Sequence, residues 1–163
     1  MQNSKNNLYD TDYEQWAEQQ KQLLLSGQLD RLDIKNLLEE LGDVGKSNRS
    51  SLTSHCKTLL SHLLKYQHQS QFINPDLPMP YNCAEWFGTI HRCRRNIRDR
   101  LADNPSLKTL LPESLESLYA KARKEAVEEL RPYLQKHQTL TEGDFPDTCP
   151  WTYGQIMNEE WLP

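Results

Sequence analysis

From Asp33 to Gln69 the apolar residues of this chain keep helical phase across two glycines. Ile34, Leu37, Leu38, Leu41, Val44, Leu52, Leu59, Leu60 and Leu63 fall near one stripe of a helical wheel. Ile34 and Leu63 stand 29 positions apart, close to about eight turns at about 3.6 residues each. The pattern predicts one long helix, or a kinked one that keeps its register. Gly42 and Gly45 sit inside it at a cost of about 1 kcal/mol each relative to alanine, and mark a kink or a close helix crossing. Carried on to Tyr66 without a bend, the element would be about 50 Å long. Either it bends near Gly42 and Gly45 or the molecule is elongated.

The flanking segments read as helices too. Thr11 and Glu14 have the spacing of a capping box, and Asp12 and Glu14 suit the positive end of a helix dipole. Tyr13, Trp16, Ala17, Leu23 and Leu24 supply an apolar side, and Gly27 stops this first helix. Asp33 is the expected N-cap of the long second one. Pro75, Pro78 and Pro80 make 71–82 a loop, packed through Phe72, Ile73 and Tyr81. A third helix is predicted over 84–101, with Trp86, Phe87, Ile90, Cys93, Ile97 and Leu101 on its buried side. A fourth covers 113–130, after a short turn at 107–111 and Pro112. Thr152 can cap a last short helix through Met157, leaving Trp161 and Leu162 to dock. The fold class expected is all-α: a helical bundle organised around one long helix, a single domain over 1–163 with a docked C-terminal tail.

Composition narrows the function classes. A net charge of -4 argues against general affinity for nucleic acid or an anionic membrane. No apolar run approaches the roughly 20 residues of a membrane span, and the polar N-terminus lacks a signal-peptide core. Cys56, Cys83, Cys93 and Cys149 show neither a CxxC pair nor zinc spacing. They read as reduced, mostly buried thiols of a cytoplasmic protein. No Gly-rich phosphate loop or nucleophile elbow is present.

Several separated motifs together resemble a known family. They are the run from Tyr9 to Trp16, the run from Asn36 to Leu41, His62 to Tyr66, Asn104 to Leu107, and Phe145 to Thr152. In order and content they are similar to the cyanobacteria-rich domain-of-unknown-function family number twenty-nine, over nearly the whole chain. The resemblance implies an all-helical bacterial protein with no established biochemical activity. The chain departs from the family pattern where Tyr66 replaces a tryptophan, where Ser70 stands near a usual proline, and in a longer, proline-rich link to the third helix.

Two groups of residues are candidate sites; the catalytic residues, if any, are unknown. Glu39, Glu40 and His62 are suitable ligands for zinc, iron or manganese. Glu40 and His62 share a face but are 22 positions apart, about 33 Å along a continuous helix. They could share an ion only if the chain folded back at the glycines or two subunits paired. The Glu-x-x-His spacing of helical di-metal sites is absent. Cys56 beside His55 points about 100° away from it on a helix, which argues against a nucleophilic pair. Arg92, Arg94, Arg95 and Arg98, with His91, read as one flank outside the apolar stripe of the third helix. Arg92, Arg95 and Arg98 are its candidate contacts to nucleic acid or to an acidic partner. Asp99 interrupts that flank and no aromatic residue interleaves for base stacking. The alternative is a solvated face paired with the chain's excess acids, Glu39, Glu40 or the group Glu125, Glu128 and Glu129. Trp16, Trp86, Trp151 and Trp161 are expected to fill the core and anchor the tail.

The leading expectation is a non-enzymatic helical interaction module without a cofactor, with an unknown protein partner or a second copy meeting the long helix's apolar stripe. The rivals are a nucleic-acid binder and a helical metal-dependent enzyme.

Overall fold

The computed structural model describes residues 8–70, 84–134 and 139–163. The fold is all-α, with no strand among the described residues. Its helices are α1 (Leu8–Thr11), α2 (Tyr13–Leu25), α3 (Ile34–His68), α4 (Ala84–Asp103), α5 (Leu110–Leu130) and α6 (Tyr153–Met157). The long helix read from the apolar stripe is α3, helical through Gly42 and Gly45, and 35 residues long. The proline-rich link lies outside the described residues. The chain divides into two compact units, Met1–Ser47 and Asn48–Pro163.

In the first unit the α1 turn precedes α2, and the cap differs from the one expected. The Asp12 amide already donates to the Leu8 carbonyl at 2.7 Å, so Thr11 belongs to α1 and the break in helical backbone falls at Asp12 (φ -154°). The Asp12 carboxylate then accepts from the Gln15 amide at 3.1 Å, satisfying a first-turn donor. At the other end Gly27 takes φ +71°, a conformation that costs little without a Cβ. There the Gln28 amide reaches back to the Leu23 carbonyl at 2.9 Å. Asp33 caps α3 as expected. Its carboxylate accepts from the Asn36 amide at 3.4 Å and from the Trp16 indole at 3.3 Å. The buried Gln20 side chain takes the Asp33 amide at 2.8 Å, so the cap also ties α2 to α3.

The core belongs to the second unit. Leu52, Cys56, Leu59, Leu60 and Leu63 of α3 meet Trp86, Ile90, Cys93 and Ile97 of α4 and Leu118, Tyr119, Ala122 and Ala126 of α5. Helix α5 begins at Leu110 instead of Glu113, which makes Pro112 its third residue. A proline is tolerated there because first-turn amides need no helical partner. Thr152 caps α6 in a capping box with Gln155. The tail docks on the same core: Trp151 meets the Tyr119 ring edge-on at 6.4 Å and the Trp161 ring at 5.7 Å.

Candidate functional site

The apolar stripe of α3 has two different fates. In the second unit Leu52, Leu59, Leu60 and Leu63 are fully buried. In the first unit Ile34, Leu38, Leu41 and Val44 are 52%, 64%, 71% and 60% exposed. Among the described residues every large aliphatic side chain that stands exposed lies in the first unit, the others being Leu24, Leu25 and Leu29. Among the described residues a Cβ added at Gly42 or Gly45 would meet nothing within 4 Å, so neither glycine serves a close crossing between described elements. The flank beyond Leu37 is used differently. There the Glu40 carboxylate accepts from the hydroxyls of Tyr9 at 2.7 Å and Tyr13 at 2.8 Å. Those hydrogen bonds hold both phenols above their ordinary titration range. The two rings and Trp16 stack in one cluster, with centroids 4.8–6.0 Å apart.

His62 has a different neighbourhood, in the second unit. Its Nδ1 lies 2.9 Å from the Thr58 carbonyl, which fixes the proton on that nitrogen. The bare Nε2 then faces the Lys65 ammonium at 3.4 Å. Lys65 is buried, pairs with the Glu129 carboxylate, and sits over the Trp86 ring at 5.5 Å from its centroid. Lys57 and Glu125 form a second pair between α3 and α5, at 2.6 Å. Glu40 and His62 therefore lie in different units, each with its own partners, and Glu39 is exposed. Among the described residues no group of three or more His, Cys, Asp or Glu side chains is placed to hold a metal ion. Burial pushes the Cys56 thiol up to about 12, so it stays protonated and unreactive.

Arg92, Arg95 and Arg98 are exposed as the flank requires, but one arginine of the run leaves it. Arg94 is fully buried. Its Nε donates to the Ile156 carbonyl at 2.7 Å, Nη2 to that of Trp161 at 2.8 Å and Nη1 to that of Glu159 at 3.4 Å. Arg98 pairs with the Glu159 carboxylate at 2.8 Å, and Arg92 donates to the Thr89 hydroxyl at 3.0 Å. Arg95 is exposed. The acid that meets this run is Glu159 of the tail; Glu125 and Glu129 are taken by lysines.

The segment from Phe145 to Thr152, the last of the motifs singled out in the sequence, is held by α5. The Pro146 carbonyl accepts from the Tyr119 hydroxyl at 3.0 Å and from Arg123 at 2.8 Å, and the Cys149 amide donates to Glu116 at 3.0 Å. Phe145 and Trp151 are buried on either side. The family model of a domain of unknown function, DUF29, matches residues 8–162. The chain belongs to the DUF29 family. No curated protein and no solved structure matches it. In this DUF29 chain the family-like tail is thus a docked strap, fastened by Arg94, Tyr119 and Arg123. Cys56 and Cys93 are free, buried thiols and Cys149 is free and half-buried; Cys83 lies outside the described residues.

The half-buried histidines of this DUF29 protein set the sign of an expected pH response. Burial lowers His62, and the Lys65 charge lowers it further; burial also lowers His55 and His68. Unfolded imidazoles titrate near about 6.5, so below that value the unfolded chain binds more protons than the folded one. The stabilisation is present above about pH 6.5 and is lost as pH falls from there through the lower folded-state values. The midpoint of urea unfolding is expected to fall between about pH 7.5 and 5.5, before ordinary carboxylates titrate. His62→Asn, which keeps a donor for the Thr58 carbonyl, is expected to flatten that slope. An unchanged slope in the variant would rule His62 out as a contributor.

Proposed function

We propose that this DUF29 chain is a non-enzymatic, cytoplasmic protein-interaction module whose docking surface is the open apolar face on the first part of α3. The observation that carries this reading is the exposure of Ile34, Leu38, Leu41 and Val44, each more than half open to water. Full burial of such a side chain contributes about 1.5–3 kcal/mol, so a face of four is a reservoir of association energy. Exposed aliphatic residues scattered singly need no explanation, whereas a contiguous patch marks an interaction site. The free thiols fit a reducing compartment, and among the described residues no helix is long and apolar enough to cross a membrane. The nucleic-acid reading has less to stand on, because Arg98 is paired and Arg94 is buried. Arg92 and Arg95 are the exposed remainder of its basic flank.

A photocrosslinking amino acid placed at Leu41 in cells tests the reading. A discrete crosslinked product is expected from Leu41 and none from Asp43, which points to the opposite side of α3 and pairs with Lys46 at 2.8 Å. Equal yields from both positions, or none from either, would remove the docking surface from consideration.

A further inference from the structure

The occupant of this face can be argued from its shape and charge. With Ile34 taken as the reference direction, Leu38 and Leu41 lie within about 40° of it, and Lys35 and Glu39 lie together on one flank at about 100° and 140°. Both of these charged residues are exposed, and neither enters an ion pair among the described residues. We infer that the face binds a second copy of this chain, antiparallel, about a two-fold axis beside Leu38. That axis sets Leu38 against Leu38 of the second copy and Ile34 against its Leu41. It also keeps like flank beside like flank, so Lys35 of each copy meets Glu39 of the other within about 3 Å of level along the helices. The ion pair forms twice. A parallel pairing would instead turn this flank toward Glu40, whose carboxylate is already taken by Tyr9 and Tyr13. Gly42 and Gly45 leave open space beside the stripe, which lets a second backbone come close. Three aliphatic side chains from each copy, with Val44 about 80° from Ile34 at the rim, place the interface at the low end of specific contacts, below about 1,200 Å² in total. The association is therefore reversible and concentration-dependent.

This inference rests on the docking surface proposed above, and the test separates the two. In sedimentation equilibrium of the full chain across the micromolar range, the mean mass should climb from 19.1 kDa toward twice that value. Leu38→Glu, which places two carboxylates face to face on the axis, should hold the mass at the monomer with its helical circular dichroism unchanged. Lys35→Glu should weaken association by about tenfold through like-charge contact, and the swap Lys35→Glu with Glu39→Lys should restore it. A wild-type chain that stays monomeric throughout overturns the second copy as occupant. A crosslink from Leu41 to a different protein would then leave the docking surface standing. If the swap is as weak as the single reversal, the antiparallel register is wrong.

Discussion

Replacing Arg94 by methionine is expected to cost the fold about 3–5 kcal/mol, because three carbonyl acceptors lose a charged donor at about 1–3 kcal/mol each and the packing of methionine offsets part of the loss. The guanidinium is fully buried and donates to three tail carbonyls, those of Ile156, Glu159 and Trp161. Methionine fills much of the same volume but leaves the Ile156 carbonyl without its donor in a dry site, and each such loss costs about 1–3 kcal/mol. Arg94→Lys should recover little, because one ammonium cannot reproduce a planar fork aimed at three acceptors. Denaturant unfolding gives the magnitude. Limited proteolysis shows where the loss falls: cleavage should appear first beyond Met157, ahead of global unfolding. Truncation after Asn158 removes two of the same three acceptors from the other side. Combined with Arg94→Met it should therefore cost less than the sum of the separate changes. Full additivity would mean that Arg94 stabilises the chain by some route other than the tail.

Periodicity along one helix is enough to place α3 but not to place the Arg94 side chain. The stripe from Ile34 to Leu63 is a property of one helix, and it gave α3 correctly, with its Asp33 cap and its passage through both glycines. Whether a stripe is covered depends on other segments. Leu59 and Leu41 look alike in sequence, yet Leu59 meets α4 and α5 in the core and Leu41 is mostly open. Arg94 did carry a signal. It stands seven residues after Phe87, four after Ile90, three before Ile97 and seven before Leu101, which is the apolar register of α4. Its charge suggested the solvent side, and the carbonyls that satisfy it come from more than 60 positions away. The pair of Lys65 and Glu129 was hidden for the same reason, since 64 positions separate them. His62 was legible as a residue of interest but not its tautomer, which the Thr58 carbonyl sets. The shift of the first cap from Thr11 to Asp12 has a local cause, a preceding turn of only four residues.

Glu129→Leu is expected to destabilise the second unit by about 2 kcal/mol, within the range for hydrogen bonds to charged groups. The change strips a buried lysine of its counter-charge: the Lys65 side chain is 3% exposed, and its ammonium is left with His62 at 3.4 Å and the Trp86 ring. The figure sits below that for a fully buried pair because the Glu129 carboxylate is 45% exposed, so water reaches the site and screens the loss. Lys65→Met should cost less, since it removes the charge along with the need to neutralise it and keeps an unbranched apolar side chain against Trp86. The double variant Lys65→Met with Glu129→Leu should then be more stable than Glu129→Leu alone. A double-mutant cycle of urea unfolding measures this directly. The same cycle has a pH readout that packing alone would not move. With Lys65 replaced, the ammonium that helps hold His62 neutral is gone, so the His62 titration followed by proton NMR should shift upward. An unmoved His62 titration in Lys65→Met would mean that burial alone sets it, and that Lys65 and His62 act independently.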